Sequence, residues 1–247
     1  MTLGCFQTRL DVERKGDDSP VTAADRAAEQ TLRDLISRRW PEHGIIGEEF
    51  GRQPGASGLT WVIDPIDGTK SFICGVPLYS CLLALTDGAR PLVGVAHFPA
   101  LGETVYAARG MGCYHNGRRA RVSTVSELAE AVLLASEIGG YDKHGKAEAW
   151  QQLVARTRIP RTWGDAYGYL LVATGRAEIM LDAVMNIWDC APLGVIQAFF
   201  QSNRMAAWRP GVGIVSESSA AVPFVAFDGS GAPDGIETSY AWMAGEG

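Results

Sequence analysis

An α+β fold with an α/β second half is what this sequence predicts, and three features carry that reading. Between Tyr79 and Gly117, short β-prone runs are separated by Gly-containing turns, the pattern of an antiparallel sheet. Ahead of them, between Thr22 and Pro41, apolar residues recur at helical spacing, so a helix should cover one face of that sheet. After Val122, strand-like and helix-like segments alternate, as in an α/β layer. The chain therefore divides into a first lobe, 1–121, and a second, 122–247. Its 247 residues suffice for one large domain or for two smaller lobes, each with its own core.

Met1 to Glu13 is weakly patterned, and Lys15-Gly16-Asp17-Asp18-Ser19-Pro20 is a turn-rich loop. Thr22 followed by Asp25 is a loose capping box that opens the helix, with Ala28, Leu32, Leu35 and Ile36 inward, Arg and Asp outward, and Pro41 closing it. A short apolar approach, Ile45-Ile46, ends in Gly47-Glu48-Glu49, and Gly51 to Gly58 reads as a Gly-rich mobile loop. Trp61-Val62-Ile63 is a strand that runs into the breakers Asp64-Pro65 and Asp67-Gly68. Strands follow at Tyr79 to Thr86, Pro91 to Phe98 and Glu103 to Ala108, and Asn116-Gly117 is a two-residue hairpin signal. In the second lobe a short helix begins at Ser126, Ala131 to Ser136 is a buried strand, and Lys143 to Arg156 is a helix. Gly164-Asp165-Ala166 opens a helix through Ala173 that Gly175 can end. Glu178 to Asp182 is a strand, and Trp188-Asp189 leads into an apolar helix from Ala191 to Phe199. The tail from Phe227 is Gly-rich with few apolar residues and reads as disordered.

Composition narrows the function. A net charge of −6 leaves no electrostatic footprint for nucleic acid. Cys5, Cys74, Cys81, Cys113 and Cys190 are odd in number and lack C-x-x-C spacing, as expected of reduced thiols in a cytoplasmic protein. No run is apolar for long enough to span a membrane, and the start lacks the order of a signal peptide.

The chemistry concentrates where Trp61-Val62-Ile63 ends. Asp64 and Asp67 project from a rigid strand end, and crowded carboxylates repel unless a cation lies between them. Oxygen ligation of this kind suits Mg²⁺, Ca²⁺ or Mn²⁺ and lacks the His and Cys that Zn²⁺ prefers. A solvated Asp-rich turn is the alternative. His43, His97, His115 and His144 fall in no catalytic pattern, and no Ser or Cys nucleophile motif is present. Taken singly, Asp25 also reads as a first-turn carboxylate favoured by the helix dipole, Asp189 as an N-cap, Asp165 as a helix cap and Asp182 as a strand-end acid.

Asp64-Pro65-Ile66-Asp67-Gly68-Thr69-Lys70-Ser71-Phe72 resembles the D-P-(I/L)-D-G-T-x-x-F signature of the inositol monophosphatase-like family of Mg²⁺-dependent phosphatases. Val21-Thr22-Ala23-Ala24-Asp25, Gly47-Glu48-Glu49 and Ile187-Trp188-Asp189-Cys190-Ala191-Pro192 match its V-T-x-x-D, G-E-E and W-D-x-A elements, in order. The resemblance runs from about Lys15 to about Ile196. Relatives usually carry a long amphipathic helix before it and a Gly-Gly turn with another strand after it, neither of which is read here.

The resemblance implies a layered αβαβα sandwich of the inositol monophosphatase/fructose-1,6-bisphosphatase type. It implies two or three Mg²⁺ per site, for which Mn²⁺ can substitute. Glu48, Asp64 and the Ile66 carbonyl would serve the first metal; Asp64, Asp67 and Asp189 the second; Asp25 and Glu48 the third. Glu48 would also orient the attacking water, with Glu49 in support and Lys15 beside a metal-site carboxylate. Thr69 would take the water's proton through a relay with Asp25, while Gly68 and Thr69 offer N–H groups to the phosphate. Asp165 and Asp182 would select the leaving group. The stretch Gly164 to Gly175, together with Asp182 and Asn186 to Asp189, is more similar to the family's histidinol-phosphate phosphatases. This implies hydrolysis of L-histidinol phosphate to L-histidinol in histidine biosynthesis, the two acids pairing with the substrate's ammonium and imidazole. The alternatives are an inositol-1-monophosphatase or broad sugar phosphatase, and a weakly catalytic regulatory or RNA-associated member. A homodimer is also implied.

Overall fold

A computed structural model describes residues 1–201, apart from positions 10, 17, 18, 89 and 184. The tail expected from Phe227 lies outside the described residues. One helical turn, α1 (Thr2–Cys5), precedes a hairpin of β1 (Val12–Arg14) and β2 (Pro20–Thr22), and α2 (Ala23–Arg39) follows. The capping box forms as expected: Asp25 Oδ2 accepts from the Thr22 N–H at 2.8 Å, and Thr22 Oγ1 accepts from the Ala24 N–H at 3.2 Å. Ala28 and Ile36 are buried, but the inward face differs from the expectation in two places. Leu35 is exposed, because it sits roughly 100° around the helix from Ile36. Arg33 is buried rather than outward, because Glu29 one turn earlier pairs with it, Nε to Oε1 at 2.7 Å.

The main sheet is built from β3 (Gly44–Gly47), β4 (Gly51–Gln53) and β5 (Thr60–Asp67), then, after α3 (Thr69–Ile73), from β6 (Ser80–Thr86), β7 (Pro91–Phe98), β8 (Glu103–Ala108), β9 (Gly112–His115) and β10 (Arg118–Arg119). Its order is β10-β9-β8-β7-β6-β5-β3-β4, antiparallel except for the parallel pair β3–β5. The segment from Gly51 to Gly58 is therefore not simply a loop. Gly51 to Gln53 pairs with β3, and its glycines serve a close turn: a Cβ on Gly55 would lie 2.1 Å from the Gly44 nitrogen.

A turn of 3₁₀ helix (Leu128–Glu130) leads into β11 (Val132–Ala135), α4 (Gly139–Lys143), α5 (Ala147–Arg156), β12 (Ile159–Arg161), α6 (Ala166–Ala173), β13 (Ile179–Leu181) and α7 (Ile187–Gln201). The strands form a parallel sheet, β12-β11-β13. The helix expected from Lys143 begins only at Ala147, since Gly145 takes a left-handed φ of 66° between α4 and α5. Strand β12 was not anticipated: it is three residues long with Pro160 at its centre, tolerated because it is an edge strand among those described. Helix α7 starts at Ile187, ahead of the expected Ala191, which puts Asp189 inside its first turn.

These elements stack in five layers, α/β/α/β/α, as expected. Ile36 of α2 packs on Ile45, Trp61 and Ile63 of the main sheet. On the sheet's other face Leu82, Phe98 and Val105 meet Leu170 of α6 and Leu193 and Ile196 of α7, and this core continues to Leu134 and Met180 of the small sheet. Beyond it, Leu133, Ala135 and Leu181 pack against Tyr141 of α4 and Trp150 and Leu153 of α5. With both faces covered, β13 is buried at all its positions, as parallel sheets require. Among the described residues no helix is long and apolar enough to cross a membrane.

The main sheet and α7 meet closely at Gly94 on β7, where a Cβ would lie 2.2 Å from the Pro192 carbonyl oxygen of α7. Neither backbone can yield to it cheaply. Gly94→Ala should therefore lower folding stability by about 1–3 kcal/mol, read from the midpoint of urea unfolding. An unchanged midpoint would mean that α7 does not pack this tightly.

Candidate metal centre

Asp64 and Asp67 are three residues apart on β5, and in a regular strand such residues face opposite ways. Pairing with β6 runs from Asp64↔Leu82 to Asp67↔Ser80, with a register shift between them. That bulge at Pro65 and Ile66 turns both carboxylates toward one site. Each is then oriented by a hydrogen bond. Asp64 Oδ1 accepts from the Ile66 N–H at 3.0 Å, and Asp67 Oδ2 accepts from Ser80 Oγ at 3.0 Å and from the Ala166 N–H at 2.9 Å. Asp189 arrives on the first turn of α7, its Oδ2 accepting from the Asn186 N–H at 2.8 Å.

Oxygen atoms of Asp64, Asp67 and Asp189 lie within 4.8 Å of one another. Burial first, and then repulsion from Glu48, Asp67 and Asp189, push the Asp64 carboxyl well above the usual range. Burial with the charges of Asp165 and Asp189 does the same to Asp67, against the opposing bonds from Ala166 and Ser80. Asp189 is pushed up to about 7, mainly by burial. All three charged forms are thus disfavoured together, the condition that a cation among them relieves. The donor set is oxygen alone, which fits a hard divalent ion, so this cluster can hold a metal.

The other expected residues are placed around it. Lys15 Nζ reaches Glu48 Oε1 at 2.6 Å and Glu49 Oε1 at 2.7 Å. Burial works against the ammonium, but the two carboxylates outweigh it and its pKa is raised. Thr69 Oγ1 donates to the Ile66 carbonyl oxygen at 3.1 Å, while Asp25 Oδ2 accepts from Thr22 Oγ1 at 2.5 Å. The Thr69 hydroxyl is thus turned to the Ile66 carbonyl and the Asp25 carboxylate to Thr22. Gly68 caps α3 at a φ of 77°, and a Cβ there would lie 2.6 Å from Asp165 Oδ2. Asp165 is therefore brought against the turn of the cluster, its pKa raised by burial with Lys70 opposing. Asp182 lies deeper in the small sheet's end: it accepts from the Ser136 N–H at 3.3 Å and the Tyr169 hydroxyl at 2.9 Å. Burial pushes Asp182 to about 6 against those partners.

Several contributors were missed from sequence. Ser80 and the Ala166 N–H orient Asp67, Tyr169 holds Asp182, and Lys70 pairs with Glu137 at 3.0 Å across the two halves of the chain. Glu29, buried on α2, holds the backbone of Glu49. The spacing of Glu29 and Arg33 at i,i+4 was the one available signal for that pair.

Comparison with known proteins places this geometry. Residues 2–198 match the model of the inositol monophosphatase family. The chain is 46% identical over 193 residues to a histidinol-phosphatase of Chlorobaculum parvum, covering 77% of this chain and 74% of that protein. It is 39% identical over 199 residues to a histidinol-phosphatase of Mycobacterium tuberculosis, covering 78% and 76%. Among solved structures, an IMPase of Thermotoga maritima superposes with a TM-score of 0.72 at 34% identity, over 80% of this chain and 76% of that one. The match spans both sheets and every element that carries Asp64, Asp67 and Asp189, and on that ground the chain belongs to the inositol monophosphatase family.

Proposed function

We propose that this chain is a Mg²⁺-dependent phosphomonoesterase that hydrolyses L-histidinol phosphate to L-histidinol. The observation that carries the chemistry is the convergence of Asp64, Asp67 and Asp189 on one oxygen-lined cluster. The substrate reading is supported by the relatives named histidinol-phosphatase and by a further acid, Asp165, beside the turn of that cluster.

Asp64, Asp67 and Asp189 would bind the ions, joined by Glu48 and the Ile66 carbonyl, with Asp25 completing a third, weaker set. Bound there, Mg²⁺ would lower the pKa of the attacking water and offset charge on the leaving oxygen. Lys15 holds Glu48 and Glu49 in place in the meantime, and the Gly68 and Thr69 N–H groups are proposed to face the phosphate. Thr69 would accept the water's proton once its hydroxyl turns from the Ile66 carbonyl toward Asp25. The Asp165 carboxylate would pair with the substrate's cationic end, a charge-assisted contact that neutral inositol cannot offer. Asp182, held by Ser136 and Tyr169, would shape the far wall. The division into lobes 1–121 and 122–247, a homodimeric assembly and a cytoplasmic location belong to the same proposal.

The direct test is phosphate release with Mg²⁺, comparing histidinol phosphate with inositol 1-phosphate. Histidinol phosphate should be strongly preferred, and Asp64→Asn should cut turnover by on the order of 100-fold or more. Equal turnover of both esters would transfer the assignment to a broad phosphatase, and turnover of neither would remove the enzymatic reading.

The electrostatics give a second expectation. An unfolded Asp titrates near about 3.9, whereas Asp189 in the metal-free fold titrates at about 7. Between those values the folded state keeps a proton that the unfolded state has lost, so this group's contribution weakens stability as pH rises and is fully unfavourable above about 7. Mg²⁺ must displace the same protons and binds more tightly at higher pH. The rise in Tm on adding Mg²⁺ should therefore be larger at pH 8 than at pH 5; an equal rise at both would contradict the cluster's charge state.

A further inference from the structure

The loop bearing Glu48 and Glu49 is gripped by a pair of charged side chains that the proposed chemistry does not use. Glu29 is 0% exposed and Arg33 7%. A buried carboxylate is costly unless its oxygens are paired, and here both are. Oε1 accepts from Arg33 Nε at 2.7 Å and from the Phe50 N–H at 3.2 Å, and Oε2 accepts from the Glu49 N–H at 2.7 Å. Arg33 Nη2 donates to the Gly51 carbonyl oxygen, and its guanidinium lies 5.9 Å from the centre of the Phe50 ring. The Glu48 N–H donates to the Ile63 carbonyl of β5 at 3.2 Å.

The backbone of residues 48–51 is therefore tied at every position, by β5 at the first and by α2 at the next three. Gly47 is part of the device: a Cβ there would lie 2.0 Å from Glu29 Oε1, so only glycine admits the carboxylate to this depth. Stability alone does not account for the arrangement, because a buried ion pair generally does no better than well-packed apolar residues in its place. What the pair adds is a fixed backbone from which the Glu48 and Glu49 side chains leave to meet Lys15.

We propose that Glu29, braced by Arg33, is a positioning residue that holds the Glu48–Glu49 loop in its metal-binding geometry. The inference rests on the metal-dependent reading above. Glu29 touches neither substrate nor ion in this role. It acts as outer-shell groups do, by fixing the orientation of a ligand and so its affinity for the ion.

Two variants test it, Glu29→Gln and Arg33→Lys, with folding checked by circular dichroism and Mg²⁺ binding measured by titration calorimetry. Glu29→Gln keeps the side chain's shape but loses the charge and one acceptor. Its Kd for Mg²⁺ should rise by about 10- to 100-fold, with a smaller rise for Arg33→Lys. The Mg²⁺ concentration for half-maximal phosphate release should rise in parallel, while turnover at saturating Mg²⁺ changes little. Folded variants that bind Mg²⁺ as the wild type does would overturn the proposal. If Glu29→Gln does not fold, Arg33→Lys decides, and loss of folding by both would assign the pair to stability and overturn it as well. Wild-type protein that binds no Mg²⁺ would instead remove the metal reading itself, and this inference with it.

Discussion

Mutual repulsion among crowded carboxylates, one buried and two half-buried, is the constraint to which the rest of this structure answers. Asp64, Asp67 and Asp189 present oxygens within 4.8 Å of one another in surroundings that disfavour their charged forms. Left to themselves such groups would move apart or stay protonated. They are kept together because each is mounted on an element whose position is set by extensive packing elsewhere: two on the interior strand β5, one on α7, which lies across β5, β6 and β7.

That mounting explains the layered order. Strand β5 is flanked by β3 and β6 in the sheet and covered by α2 on one face and α7 on the other, so its backbone is held firmly up to the half-exposed turn that follows it. The bulge at Pro65 and Ile66 uses that rigidity to aim both of its carboxylates the same way. The glycine at position 94 lets α7 come close enough to complete the cluster. Helix α6 then brings the Ala166 N–H to Asp67 and Asp165 to Gly68, which links the chemistry-bearing turn to the half of the chain proposed to choose the substrate.

The loop of Glu48 and Glu49 shows the same economy on the opposite side. It stands between two sources of order, β5 and α2, and its acids meet a lysine delivered by the β1–β2 hairpin. The capping box at Thr22 fixes where α2 begins and therefore where Glu29 and Arg33 lie about two and three turns later. A local signal at a helix start in this way sets the position of a loop that lies twenty residues beyond Glu29.

By itself the sequence determined most of the longer elements and named the cluster's acids, because both are written locally, while short strands such as β4 and β12 carried no such mark. Helical periodicity and the Thr22–Asp25 pair marked α2, Gly-containing turns marked β6 to β10, and the Asp-Pro and Asp-Gly pairs marked the end of β5. Only the tertiary structure decided what lies opposite what. The exposure of Leu35 and burial of Arg33, the pairing of Gly51 to Gln53 with β3, the bulge that unites Asp64 with Asp67, and the partners taken by Thr69 and Asp25 are settled by how the elements pack, whether those partners lie three residues away or on another strand. Backbone pairing carries no residue-specific mark, and a hydrogen bond goes to whichever acceptor packing brings near. For that reason the cluster's members were legible in the sequence while its geometry was not.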